Sequence, residues 1–241
     1  MFNKFTFVTS FFTILYVTNA DPASFITKCK SDDTKCTKES TQKAIPIFAD
    51  GITELGVEPL DPFVLKKIDA STPVLKFMLS DMTITGLKNC QAKKIQRNVA
   101  NSELIVKTLC DVDADGHYDM SGQLIILPIE GNGKIHVKLR KLQMVVVAEL
   151  FDKEGTDGKK HWEIKHWKHS FDLKDKAGLE FENLFNGNEA LAGAVRELIA
   201  SSGNEIITEV GAPVIKAITE KIVQNVQNFF RAVPIEDLAL D

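Results

Sequence analysis

No Asn-x-Ser/Thr acceptor occurs in the 241 residues, so the chain offers no site for an N-linked glycan. It also lacks a Gly-x-Ser-x-Gly elbow, a His-Glu-x-x-His pair and a Gly-Lys-Ser/Thr phosphate loop. Those absences remove the usual signatures of serine hydrolases, zinc proteases and nucleotide binders. Asp and Glu are plentiful, yet nothing singles out two of them for general acid–base work. Positive charge is not clustered: 29 Lys and Arg stand against 33 Asp and Glu, a net charge of −4. Binding of a nucleic-acid backbone needs a basic face, so no nucleic-acid partner is expected. Past the first twenty residues there is no second long apolar run, so no stable membrane insertion is expected either. Cysteine is sparse, at four.

The chain opens with Met1-Phe2-Asn3-Lys4, then an apolar run from Phe5 to Val17, then Thr18-Asn19-Ala20. One positive charge, a short greasy core and small residues before a cut describe a secretory signal peptide over residues 1–20. A membrane anchor is the other reading, but Thr9, Ser10 and Thr13 interrupt the run and it is short for a bilayer. Residues 21–241 suffice for one large domain or two small ones. In an oxidising compartment Cys29, Cys36, Cys90 and Cys110 suggest two bridges. Cys29 and Cys36 enclose the polar loop Lys30 to Lys35. Cys90 and Cys110 flank two strand-like runs, and a hairpin turning near Ala100 would bring them opposite. Four separate thiols or a zinc site are the alternatives; zinc is disfavoured because neither pair has the short gap of a structural site.

From about Asn188 to Arg231 apolar residues recur at helical spacing: Leu191, Val195, Leu198, Ile206, Val210, Val214, Ile218, Ile222, Val226 and Phe229. An unbroken helix of that length would span roughly 65 Å. Gly203 and Gly211-Ala212-Pro213 weaken it, so the pattern predicts one helix kinked near Pro213 or two in succession, stopping at Val233-Pro234. The drift at 3.6 residues disfavours a coiled coil. So long a stripe needs an equally long cover.

From Val74 to about Phe171 the period changes to two. Lys134-Ile135-His136-Val137-Lys138-Leu139-Arg140 alternates wet and greasy; Leu142, Met144, Val146, Ala148 and Leu150 continue in the opposite phase. That slip predicts a β-bulge at Arg140-Lys141, and bulges bend strands. Asp115-Gly116, Gly131-Asn132-Gly133 and Gly155-Thr156-Asp157-Gly158 read as turns. Long antiparallel strands with one greasy face and a long helix with one greasy stripe cover each other.

The chain resembles the insect takeout and haemolymph juvenile-hormone-binding proteins along almost its whole mature length. The resemblance is carried by Cys29 and Cys36, then Gly51-Ile52-Thr53-Glu54-Leu55-Gly56 leading to Pro59-Leu60-Asp61-Pro62-Phe63, and Thr83-Ile84-Thr85-Gly86-Leu87. Tyr118, Gly122, Leu127-Pro128-Ile129, Gly131-Asn132-Gly133, Asn183-Leu184-Phe185-Asn186-Gly187-Asn188, Phe229-Phe230 and Val233-Pro234 complete it. It implies an α+β fold: one elongated tubular lipid-binding domain over residues 21–241, a highly curved antiparallel β-sheet wrapped on the long C-terminal helix around an apolar tunnel. The hormone-binding members look to have a second bridge in the later part of the chain. Here the second cysteine pair is Cys90 and Cys110, which implies a takeout-like member.

Two other patterns have simpler explanations. Asp111-Val112-Asp113-Ala114-Asp115-Gly116 imitates the start of an EF-hand, but Gly122 stands where the bidentate Glu belongs, so a polar turn is expected. His161, His166 and His169 lie among Trp162 and Trp167. On one strand His161 and His169 share a face and His166 opposes them, so three cannot converge on zinc. The aromatics are expected to border the tunnel and the histidines the wet side. No metal and no cofactor are expected.

The function implied is a secreted, non-enzymatic carrier of one small hydrophobic molecule, a juvenile-hormone-like terpenoid, fatty acid or related lipid, in haemolymph or another extracellular fluid. Candidate lining residues are Ile52, Leu55, Val57 and Phe63 from the entrance segment, Ile84 and Leu87, then Leu124 and Ile126, with Val195, Ile199 and Ile206 from the helix. Tyr118 is the candidate polar handle, because a buried phenol needs a partner. Ordinary core packing is the competing account of each. Two further classes remain: an interaction protein with a receptor or carrier-protein partner, and a hydrolase of a lipid ester.

Overall fold

The computed structural model describes residues 23–241, so the expected signal peptide lies outside the described residues. Helix α1 (Thr34–Asp50) comes first, then strands β1 (Phe63–Asp69), β2 (Leu75–Thr85), β3 (Gln91–Asn98), β4 (Glu103–Leu124), β5 (Leu127–Glu154), β6 (Lys160–Leu173) and β7 (Gly178–Phe181). Helices α2 (Glu189–Val210), α3 (Ala212–Ala232) and the single turn α4 (Ile235–Leu238) close the chain. The strands form one antiparallel sheet in the order β1-β2-β4-β5-β6, with β3 on β4 and β7 on β5.

Strand β5 has 28 residues and β4 has 22, far beyond the usual five or six. Each is long enough to serve two neighbours in turn. Along β4, β2 pairs with the half beyond Val112 and β3 with the half before Cys110. Along β5, β7 pairs with Ile135 to Lys138 and β6 with the stretch from Leu142 onward. Both changes of partner fall at one irregularity: Cys110 opposes Leu142 and Val112 opposes Leu139, leaving Asp111 alone against Arg140 and Lys141. This is the bulge that the phase slip predicts. Ile135 and Leu139 are buried before it, and Leu142, Ala148 and Leu150 after it. Lys141 takes the left-handed φ of 51° that lets the extra residue fit. Arg140 adds two bonds to Asp113, of 2.8 and 3.0 Å.

Two expected turns are strand interior instead. Asp111 to Gly116 runs through the middle of β4, with Val112 and Ala114 buried and Asp111 and Asp115 exposed. Acidic residues at every second position are the wet face of a strand. Gly116 sits opposite a second bulge, in β2, where a Cβ would lie 2.4 Å from Met82 Sδ. Gly131-Asn132-Gly133 is likewise inside β5, because a Cβ on Gly131 would meet the Tyr118 hydroxyl at 2.8 Å. Both glycines mark close approach rather than reversal. Only the Gly155–Gly158 segment turns the chain, between β5 and β6.

The apolar stripe near the end folds as two successive helices meeting at Gly211, with Pro213 in the first turn of α3. A further kink sits at Ser202 (φ −120°, ψ 26°), beside Gly203. Asn188 caps α2 through Leu191 N–H, and α3 stops at Val233. Helix α1 has no counterpart among the expected elements; its fully buried positions are Ser40, Ala44 and Ala49, with Ile45 and Phe48 half-buried beside them. Asp33 caps it by accepting from Cys36 N–H at 2.9 Å. Cys36 thus lies in the first helical turn and not at the end of a loop, and its bridge to Cys29 ties that turn to the preceding chain.

In β6 the histidine faces differ from expectation. A bulge at Lys165 reverses the phase, so His161 opposes Lys153 while His169 opposes Val146. The two do not share a face. His161 is buried and lies within hydrogen-bond distance of Asp157 and the Phe230 carbonyl. The Ile164 N–H beside that bulge donates to Gln227 Oε1 of α3 at 2.6 Å.

Candidate functional site

Between the inner face of the sheet and the helices lie two apolar chambers, end to end. The narrower holds about 100 Å³ and is walled by β2, β4, β5, β7 and the α2–α3 junction, among them Phe77, Ile84, Leu139, Phe181, Ile206 and Val214. The wider holds about 340 Å³ and lies between α1, β3, β4, β5, β6 and the far half of α3, with Ala44, Phe48, Ile95, Val146, Val226 and Phe229 in its wall. Leu87, Met144, Thr219 and Ile222 belong to both. They mark the neck, the boundary that the two chambers share, and the Thr219 hydroxyl there is already spent on the Ile215 carbonyl at 2.7 Å.

The helical stripe supplies one wall along the whole length: Ile206, Val210, Val214 and Ile218 in the first chamber, Val226 and Phe229 in the second, and Ile222 at the neck. The bulge is why the opposite wall is continuous. It keeps Leu139 and Leu142 facing inward on either side of the phase slip, so β5 lines both chambers. The disulfide Cys90–Cys110 joins the start of β3 to β4 in the wall of the wider chamber, with its Cα atoms 4.3 Å apart.

Among the described residues the narrower chamber has no charged side chain in its wall. The wider one has hydroxyls (Thr27, Thr37, Ser40, Thr41, Thr108) and a single charged side chain, that of Arg97. Several hydroxyls already have partners: Ser40 Oγ accepts from Thr27 N–H at 2.9 Å, and Thr37 Oγ1 donates to the Ile95 carbonyl at 3.1 Å. The guanidinium of Arg97 stacks over the Trp162 ring, 5.2 Å from its centroid, and pairs with the Asp241 carboxylate.

Of the twelve residues nominated from the sequence, Ile84, Leu87 and Ile206 line the chambers. Phe63, Leu124, Val195 and Ile199 are buried in the same core without reaching either chamber. Ile52, Leu55 and Val57 pack into a second cluster around Phe229, Phe230 and Val233. Ile126 is 71 % exposed at the β4–β5 hairpin tip, where there is no wall for it to face. Tyr118 stands behind the wall: its hydroxyl donates to the Glu182 carbonyl at 2.6 Å, and its ring packs edge-on against Phe181. Burial, with the Glu182 charge second, pushes its phenol up to about 12. It fastens the segment after β7 to β4, and neither chamber counts it among its lining residues. Of the two tryptophans, Trp162 borders the wider chamber.

Sequence reasoning missed α1, Arg97, Met144 and Thr219. The helical spacing of Ser40, Ala44, Ile45 and Phe48 was a signal for α1. Nothing local marks Arg97, which sits in an otherwise hydrophilic strand. Among the described residues no three His, Cys, Asp or Glu side chains are grouped to hold a metal ion, and no helix is long and apolar enough to cross a membrane.

A bent antiparallel sheet rolled on consecutive helices around an apolar tube is the tubular lipid-binding fold. The chain belongs to the haemolymph juvenile hormone binding protein (JHBP) family, whose profile matches residues 7–240. The crystal structure of Epiphyas postvittana Takeout 1 superimposes with a TM-score of 0.85 at 29% identity, covering 89% of this chain and 99% of that one. The circadian clock-controlled protein daywake of Drosophila melanogaster is 22% identical over 222 residues, 87% of this chain and 85% of daywake. The juvenile hormone-binding protein of Manduca sexta is 20% identical over 152 residues, 60% of this chain and 63% of that protein. The family is one of binding and carrier proteins.

Proposed function

We propose that this protein is a secreted, non-enzymatic carrier that encloses one elongated hydrophobic molecule in the two chambers. A juvenile-hormone-like terpenoid, a fatty acid or a related lipid has the required shape. The carrying observation is that Leu87, Met144, Thr219 and Ile222 line both apolar chambers, so the two adjoin across one set of side chains between the sheet and the helices. Each Å² of hydrocarbon removed from water there contributes roughly 25 cal/mol, and few polar groups oppose it. Two disulfides and the signal-peptide pattern over residues 1–20 support an extracellular place of work, haemolymph or another fluid.

The test is to recover the protein from its native fluid and extract it for lipid mass spectrometry, then to titrate it with terpenoids and fatty acids that displace a fluorescent lipid. One molar equivalent of lipid supports the reading. A protein that carries none and binds none of the probes overturns it.

A further inference from the structure

We infer that Arg97 is the head-group site of the wider chamber and selects a long-chain carboxylic acid, with the Asp241 carboxylate occupying that site when no ligand is bound. The inference rests on the carrier reading and names the chemical class carried.

Three observations converge. Among the described residues Arg97 is the single charged side chain in the lining of either chamber. Its side chain is only 13 % exposed, although a lone charge on a surface strand normally stays in water. Its ion-pair partner comes from a short tail and is itself 43 % exposed. A guanidinium this dehydrated is held by its charge partner and by the Trp162 face beneath it.

The geometry suits exchange. Asp241 lies past α4, on a segment joined to the body by a bridge of Ala239 to Cys29, by Leu240 N–H to the Cys29 carbonyl, and by Ser31 to its own carboxylate. Leu238 and Ala239 of the same segment form part of the chamber wall. A carboxylate at the end of a hydrocarbon chain can take the place of Asp241 on Arg97, leaving Asp241 to Ser31 and to solvent. The chain then runs past Trp162 and Val146 toward the neck. A neutral head group gains no such pair and leaves the Arg97–Asp241 bond intact. An acid lipid without a cation partner would be costly to bury, so the same guanidinium makes the acid form acceptable to an otherwise apolar chamber.

The experiment compares palmitic acid, hexadecanol and methyl palmitate by calorimetric titration at neutral pH, using the unmodified protein, Arg97→Met and Asp241→Asn. Palmitic acid should bind the unmodified protein about tenfold or more tighter than hexadecanol, as a charged hydrogen-bonded pair predicts. Arg97→Met should erase that preference while hexadecanol binding persists, and Asp241→Asn should tighten palmitic acid alone. Equal affinity for the three lipids in the unmodified protein, or a preference that survives Arg97→Met, overturns the inference and leaves the carrier reading standing. Failure of every lipid to bind overturns both. Arg97 also donates to the Asp241 main-chain oxygen at 2.5 Å, which Asp241→Asn keeps, so if Arg97→Met does not fold, Arg97→Gln decides: loss of the preference for the acid supports the site, and a retained preference overturns it.

Discussion

The Lys141 backbone N–H donates to the Asp111 carboxylate at 2.7 Å, across the one step where β5 sets two residues against one of β4. That bond secures the bulge at which the sheet exchanges β2 for β3 on one side and β7 for β6 on the other. The two chambers meet near the same level, where Leu142 and Met144 resume the inward phase. The curvature of the sheet and the inward-facing apolar wall that β5 gives to both chambers therefore share one local cause.

Deleting Lys141 should abolish folding. The deletion removes the extra residue, so either Leu142, Met144, Val146, Ala148 and Leu150 turn outward or the pairing with β4 is lost. Asp111→Ala keeps the count and loses only one acceptor on the wet face, at a cost of about 1 kcal/mol. Urea denaturation distinguishes them: a cooperative transition at slightly lower midpoint for Asp111→Ala, and none for the deletion. A deletion variant that unfolds cooperatively near the parent midpoint would refute the role given to the bulge.

Replacing both Cys90 and Cys110 by Ala should cost more than replacing Cys29 and Cys36. The pairs are 20 and 7 residues apart, and the loop-closure estimate is about 3 kcal/mol against about 2 kcal/mol. Paired thermal melts of the two double variants measure the difference. The reverse order would place the stabilisation in local packing instead of the closed loop.

Tyr118 should titrate near 12 and lower the stability of the fold as it does so. Burial raises its phenol above the ordinary value of 10.0 to about 12, so the stability it adds is full below about pH 10 and is lost as pH rises toward 12. The chain has two tyrosines, Tyr16 and Tyr118. Protein lacking residues 1–20 therefore reports Tyr118 alone by absorbance at 295 nm. Tyr118→Phe should lower stability by about 1–2 kcal/mol and leave lipid affinity unchanged. Loss of lipid binding with an intact fold would restore Tyr118 as a ligand contact.

Ile222→Phe should narrow the neck and separate long ligands from short ones. Extra volume in a packed wall typically costs about 1–3 kcal/mol, and here a chain that threads the neck bears that cost on binding. Displacement titrations with sixteen-carbon and eight-carbon alcohols should show the longer weakened about tenfold and the shorter little changed, in keeping with that range. Equal weakening of both would mean that no ligand crosses between the chambers.

Periodicity alone determined much of this molecule. The 3.6-residue stripe from Leu191 to Phe229 specified helix, because a helix has one face to bury, and left open a kink near Pro213 or two helices in succession, which the structure settles as two meeting at Gly211. The phase slip at Arg140-Lys141 specified the bulge, because a strand alternates by two. The spacing of Cys90 and Cys110 about Ala100 suggested a hairpin, and the structure decided that the two are bridged. Glycine was ambiguous: Gly116 and Gly131 read as turns but serve the close approach of Met82 and Tyr118, and those neighbours are distant in sequence. Which apolar residues line the tube and which merely fill the core was decided by the tertiary structure alone. Ile84 and Val195 are both buried, yet only Ile84 meets the chamber, since inward direction is shared by every residue on a greasy face. Arg97 is the extreme case. Its strand is unremarkable in sequence, and only the roll of the sheet brings its guanidinium onto Trp162 and Asp241 at the wall of an apolar chamber.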